Sequence, residues 1–263
     1  MSGSTGAAGD RAASAHHQSH AAPGLRSPKV SELLARQIVD QILQGALTNG
    51  EPLQTEREMM ASYGVGRSTV REALRLLETR GVITIKQGLN GGPIVRIPRA
   101  TDLSESLSLF LSFAGASLQD LLTTRLALEP VIAVLAAEHA TPRDITELEE
   151  CVERMQSNLR DSATFRAENE LFHTLVAQIA GNPVLLTFIE SVKGISDGMT
   201  AGVTYSERRR LAVAQAHARI VHALSDNDQE HAGEEMRRHL EEAGMYWRKR
   251  YGPIYRQPVN WRL

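Results

Sequence analysis

A mainly α chain is predicted, with an N-terminal winged helix-turn-helix unit of three helices plus a β-hairpin and then an antiparallel bundle of about seven helices. Three observations predict it. A short run, Gly64 to Glu78, sets apolar residues on one helical face and arginines on another; two β-prone runs separated by glycines follow at once; and beyond Asp102 strand signals disappear while helical ones recur. The units are read as 28–98 and 102–250, with tails at 1–27 and 251–263.

Residues 1–27 are rich in Ser, Gly, Ala and His and poor in bulky apolar groups. Such a segment cannot offset its ordering entropy, so a disordered tail is expected, with His16, His17 and His20 as solvated residues. Val30, Leu33, Leu34, Ile38 and Ile42 follow the helical period and predict a first helix over about 31–45 that buries this stripe. Thr55-Glu56-Arg57-Glu58 has capping-box spacing, predicting a short second helix through Met59, Met60 and Tyr63 that ends at Gly64. In the third helix Val70, Ala73, Leu74 and Leu77 point inward, while Arg67, Arg71 and Arg75 step by fours along another face. A helix of that kind fits a DNA major groove, where guanidiniums meet phosphates and base edges. Val82–Ile85 and Ile94–Ile97 flank the turn-forming Gln87 to Pro93 and predict the wing.

Charge follows the same division. Residues 26–99 hold 11 Lys and Arg against 7 Asp and Glu, whereas 100–263 hold 17 against 23, so a basic head sits on an acidic body. The single cysteine, Cys151, excludes an intramolecular disulfide and has no neighbours that suggest a reactive thiol. No run approaches 18 apolar residues and the first 25 lack a signal-peptide core; a cytoplasmic protein with no membrane partner is expected.

In the second unit helices are predicted at about 102–114, 117–139, 142–160, 162–180, 183–200, 205–225 and 228–250, punctuated by Gly115, Thr141-Pro142, Gly181-Asn182-Pro183 and Asp226-Asn227-Asp228. A bundle of this kind leaves ligand room between helices. Asn169 and His173 are one turn apart on the fourth of these helices, with His217 and His239 on the last two. Imidazoles converging from different helices suit zinc, nickel or manganese. Histidines so far apart in sequence also serve as surface or singly bonded core residues, the reading given to His139, His222 and His231. Glu168 and Glu170 flank Asn169 and are expected on other faces.

Leu53 through Gly92, with Thr55-Glu56-Arg57-Glu58 and Gly64-Val65-Gly66-Arg67-Ser68-Thr69-Val70-Arg71-Glu72-Ala73-Leu74, resembles the winged-helix domain of GntR regulators. Arg125 to Glu129, Phe172-His173, His217 and Arg238-His239-Leu240 resemble the ligand-binding FCD domain of the FadR branch. The resemblance implies a homodimeric transcriptional regulator, not an enzyme, that binds a palindromic double-stranded DNA operator under control of a small carboxylate effector. It implies DNA contacts at Arg57, Arg67, Ser68, Thr69, Arg71 and, at the wing tip, Gly88, with Ser68 and Thr69 also capping their helix. It further implies an effector contact at Arg125 and a divalent metal at Asn169, His173, His217 and His239. Two positions depart from the pattern: Gly66 replaces a usual Ser, and Asn169 stands where a carboxylate is common, offering a weaker neutral oxygen. A metal-dependent enzyme using the three histidines, or a metal-free regulator responsive to acyl or lipid groups, are the alternatives.

Overall fold

The computed structural model describes residues 29–45, 47–88, 91–200 and 203–261; the expectation of a disordered tail at 1–27 lies outside them. The first unit consists of α1 (Val30–Gln44), α2 (Glu56–Tyr63), α3 (Arg67–Thr79), β1 (Ile83–Lys86) and β2 (Gly92–Val95). Leu34, Ile38, Met59, Val70, Leu74, Leu77, Ile83 and Val95 form its core. The stripe expected on α1 is rotated: Leu34, Ile38 and Ile42 are buried together with Ser31 and Ala35, but Val30 and Leu33 are 58% and 43% exposed. Val30 is the first residue of the helix.

The capping box is formed. The Thr55 amide donates to Glu58 Oε2 at 2.8 Å, and the Glu58 amide donates back to Thr55 Oγ1 at 3.3 Å. Gly64 closes α2 in the left-handed region at φ 62, which a side chain would resist. The wing pairs Ile83 with Val95 through Lys86 with Gly92, one residue later on β1 and two earlier on β2 than sequence suggested. A feature not expected from sequence braces it: the Leu53 amide donates to Pro93 O, and Val95 exchanges bonds with Gly50 and Glu51, so the segment between α1 and α2 lies along β2.

The second unit contains α4 (Ala100–Ala114), α5 (Leu118–His139), α6 (Pro142–Ser157), α7 (Ser162–Ile179), α8 (Pro183–Met199), α9 (Glu207–Ser225) and α10 (Gln229–Arg250). These are the seven helices predicted, with ends shifted by at most three residues. Ser117, Thr141, Asp161, Asn182, Ser206 and Asp228 each cap a helix through the side chain, satisfying amides that the helix itself leaves free. α5 is the central helix, packed against α7, α8, α9 and α10, while α4 lies on α8. The chain does not trail away after Arg250. It forms α11 (Gly252–Tyr255), then Val259 is buried beside Leu118, Leu121 and Trp247, its amide donating to Ala116 O at 2.7 Å. Among the described residues no helix is long and apolar enough to cross a membrane.

Candidate nucleic-acid interface and bundle cavity

On α3 the core-facing residues Val70, Ala73, Leu74 and Leu77 are buried, and this fixes the opposite face outward. Arg67, Arg71 and Arg75 are exposed there, as are Ser68 on α3 and Arg57 on α2; Thr69 is half-buried. Glu56 lies 3.5 Å from Arg67 Nε and 3.8 Å from Arg71 Nε. Exposed pairs of this type contribute at most about 1 kcal/mol, so phosphate can displace them. Arg57 and Arg67 share a groove with Thr55 and the wing residues Gly91 and Gly92, and Gly88 is exposed near the turn of the wing. One expectation fails: Ser68 and Thr69 do not cap α3. The helix begins at Arg67, the N-cap is Gly66, and no side chain bonds the first turn. The missing Ser at position 66 therefore removes a cap without shifting the helix, and both hydroxyl residues lie inside the first turn.

In the bundle α7, α9 and α10 bring His173, His217 and His239 together, one ligand atom from each lying within 4.8 Å of the others. All three are buried. Phe172 stacks on His217 with centroids 3.8 Å apart, and His217 Nδ1 contacts Met155 Sδ at 3.3 Å, which turns its Nε2 toward His239 Nε2, 3.3 Å away. Burial and the neighbouring cationic groups push the His217 and His239 values well below the usual imidazole range. Neutral imidazole is the form a metal requires. Two nitrogens bound to one tetrahedral zinc stand roughly 3.3 Å apart, so the donor set fits such an ion without rearrangement at this pair. His139, His222 and His231 are exposed and outside the cluster.

Sequence reasoning missed Glu129. It is 2% exposed, accepts from Arg125 Nε at 2.5 Å through Oε1, and approaches His173 Nδ1 at 2.5 Å through Oε2. That second approach pairs the imidazole with the buried carboxylate. Burial opposes the Glu129 charge, yet Arg125 and His173 outweigh it and hold the carboxyl well below the ordinary range. Arg125 is correspondingly held protonated against its own burial. The signal was available: Arg125 and Glu129 are an i, i+4 pair, a spacing that commonly marks a surface ion pair and here marks a buried one.

Beside this cluster lies a cavity between α5, α7, α8 and α9. It encloses about 680 Å³ including its mouth. Arg125 and Asn169, both singled out in the sequence, line it; the three histidines do not. Glu170 also lines it, contrary to the expectation that it faces elsewhere, whereas Glu168 turns to Arg154 at 3.0 Å. Asp197 faces Glu170 across the cavity wall, and both carboxyls are raised, chiefly by burial. The same two side chains line a groove between the units, shared with Arg80, Arg96 and Arg99. Cys151 is buried, donates to Glu168 O at 3.3 Å, and is pushed up to about 12 by burial, which removes it as a reactive group.

A winged-helix head with an exposed arginine face, joined to an all-helical bundle, defines a DNA-binding transcriptional regulator. Residues 30–89 match the bacterial regulatory proteins of the gntR family, and residues 120–242 match the FCD domain. The HTH-type transcriptional repressor NanR of Klebsiella aerogenes is 30% identical over 234 residues, covering 85% of this chain and 87% of the relative. NanR of Salmonella newport is 31% identical over 236 residues, with 85% and 87% covered. A solved structure titled Streptococcus agalactiae GntR superposes with a TM-score of 0.66 at 25% identity, over 81% of this chain and 98% of that one. The chain belongs to the GntR family, in the FadR-like branch with a C-terminal FCD domain. This is a family of transcriptional regulators and not of enzymes, so the metal-dependent enzyme considered from sequence is set aside.

Proposed function

We propose that the chain is a ligand-controlled repressor acting as a homodimer in the cytoplasm, where 28–98 reads a palindromic operator and 102–250 binds the effector and dimerises. The repressor sense follows the NanR relatives. A two-fold arrangement suits a unit whose single α3 reads few base pairs. Arg57, Arg67 and Arg71 contact bases or phosphates, Ser68 and Thr69 contact the backbone, and Gly88 lets the wing approach the minor groove. The effector is a small organic acid held in the cavity lined by Arg125. A divalent metal of the zinc, nickel or manganese type is held by His173, His217 and His239, with the amide oxygen of Asn169 as a fourth candidate ligand. Such an ion supplies a Lewis-acidic position for an effector oxygen.

The observation that carries this reading is the convergence of three buried imidazoles next to a polar cavity, in the same chain as an exposed arginine helix. The charged and polar lining of that cavity, with Arg125, Asn169 and Glu170, favours a small acid over an acyl chain, the metal-free alternative. The test is selection of a duplex from a genomic library, followed by titration of the full chain with and without added zinc and a panel of organic acids. A palindromic site bound two chains per duplex, and released by at least one acid, is expected. No selected site, or a site whose occupancy no acid changes, would overturn the reading.

A further inference from the structure

Arg125 is the arginine the family resemblance points to, but its Nε is already committed to Glu129. A second guanidinium in the same cavity is not. Arg210, on the first turn of α9, lines the cavity, and its Nε and Nη1 are buried with no hydrogen-bond partner among the described residues. Of its neighbours, Arg209 also has a buried Nε without a partner, but only that one atom. Arg209 places its guanidinium 5.0 Å over the Tyr246 ring and reaches toward Glu242, and Arg166, the third arginine of the cavity, is half-buried like Arg210 but has no buried nitrogen left without a partner. Asp161, the acid whose charge Arg210 influences, spends Oδ1 on the amides of Ala163 and Thr164 and Oδ2 on the Thr164 hydroxyl. A buried guanidinium with unspent donors is a costly arrangement that a bidentate anion relieves.

The shape of the cavity says what else the anion carries. Ser162, Phe165, Arg166, Asn169 and Glu170 all line it and follow one face of α7, so it runs along that helix for about 12 Å at 1.5 Å per residue. Arg210 belongs to the end near Asp161 and Ser162; Glu170 and Asp197 close the other. One end holds the unspent Arg210 donors; the other holds the two carboxyls, with Arg125 and Arg166 close enough to act on their charge.

We infer that Arg210 is the principal carboxylate anchor of the cavity, and that the effector is a short acid bearing a hydrogen-bond donor, hydroxyl or ammonium, at its far end, where Glu170 and Asp197 receive it. This rests on the effector-binding reading above and narrows it. Trp247 also lines the cavity and gives the readout. The full chain is titrated with hexanoate, 6-hydroxyhexanoate and 6-aminohexanoate while tryptophan fluorescence is followed, and so are the R210K and R210Q variants, with circular dichroism and thermal melting as controls for folding. The parent is expected to bind the two donor-bearing acids at least about ten-fold more tightly than hexanoate, and R210Q to weaken them by about 100-fold, with R210K in between because a point charge replaces a fork. If the parent binds and folded R210Q binds equally well, Arg210 is not the anchor while effector binding itself stands. If hexanoate binds as tightly as the donor-bearing acids, the assigned ligand class is wrong. If the parent binds none of the three, both this inference and the small-acid reading beneath it fail.

Discussion

Replacing Glu129 with alanine tests whether the Arg125–Glu129–His173 arrangement holds the bundle together. The side chains of Arg125 and Glu129 are only 11% and 3% exposed, and their 2.5 Å contact joins two charges that water cannot reach. Removing one partner leaves the other buried and uncompensated, which costs about 3–5 kcal/mol. The same pair replaced on both sides by methionine, R125M with E129M, should lose less than either single change, because no lone charge is left behind. Glu129→Gln keeps an acceptor for Arg125 and removes only the charge, so its loss is smaller, about 1.5–3 kcal/mol. Urea unfolding followed by tryptophan fluorescence is the appropriate assay: Trp247 and Trp261 both belong to the C-terminal part of the chain, so the signal reports the bundle and not the head. A loss below about 1 kcal/mol for E129A, or a double variant weaker than both singles, would refute the argument.

Arg71→Ala should weaken a selected operator by about 1–3 kcal/mol and lower the salt dependence of binding, measured by fluorescence anisotropy; equal affinity at physiological salt would exclude Arg71 from the contact set. His217→Gln should reduce bound zinc from about one equivalent per chain to a small fraction by elemental mass spectrometry, and undiminished content would place the ion elsewhere. Asp144 is held below the usual carboxylate range by the Thr141 hydroxyl and then by the Thr141 amide. Its folded value is thus lower than its unfolded one, so its contribution is present above about pH 4 and is lost as pH falls through the folded value. D144N should accordingly melt lower than the parent at pH 7 and converge with it in strong acid; a constant gap at all pH would contradict this. Gly81 has φ 71, and a Cβ there would collide with the Arg96 guanidinium that pairs with Asp102 at 2.6 Å. G81A should destabilise the head by more than about 1 kcal/mol in a denaturant titration followed by circular dichroism, whereas an unchanged transition would show that Arg96 moves aside freely.

Regular elements were legible because their signals are local. The seven bundle helices could be placed from breakers and caps, and the inward face of α3 from Val70, Ala73, Leu74 and Leu77, since period and capping depend only on nearby residues. What depends on distant partners was not legible. Val30 and Leu33 share the α1 period but are exposed, and Ser68 and Thr69 suit a cap but fall two and three residues past the N-cap position. The brace along β2, the return of Val259 to Leu118 and the burial of Glu129 all require knowing which segments meet. Of the candidate site, the histidines were visible as residue types on helices, while Glu129 and Arg210 looked like two of many surface charges.

The partition made by Glu170 and Asp197 has one face on the cavity and the other on the groove between the two units. Any occupant that pushes on it from within also reshapes the surface seen by Arg80, Arg96 and Arg99, without a relay through the interior of the bundle. News of a molecule arriving in the cavity would then have only a shared wall to cross.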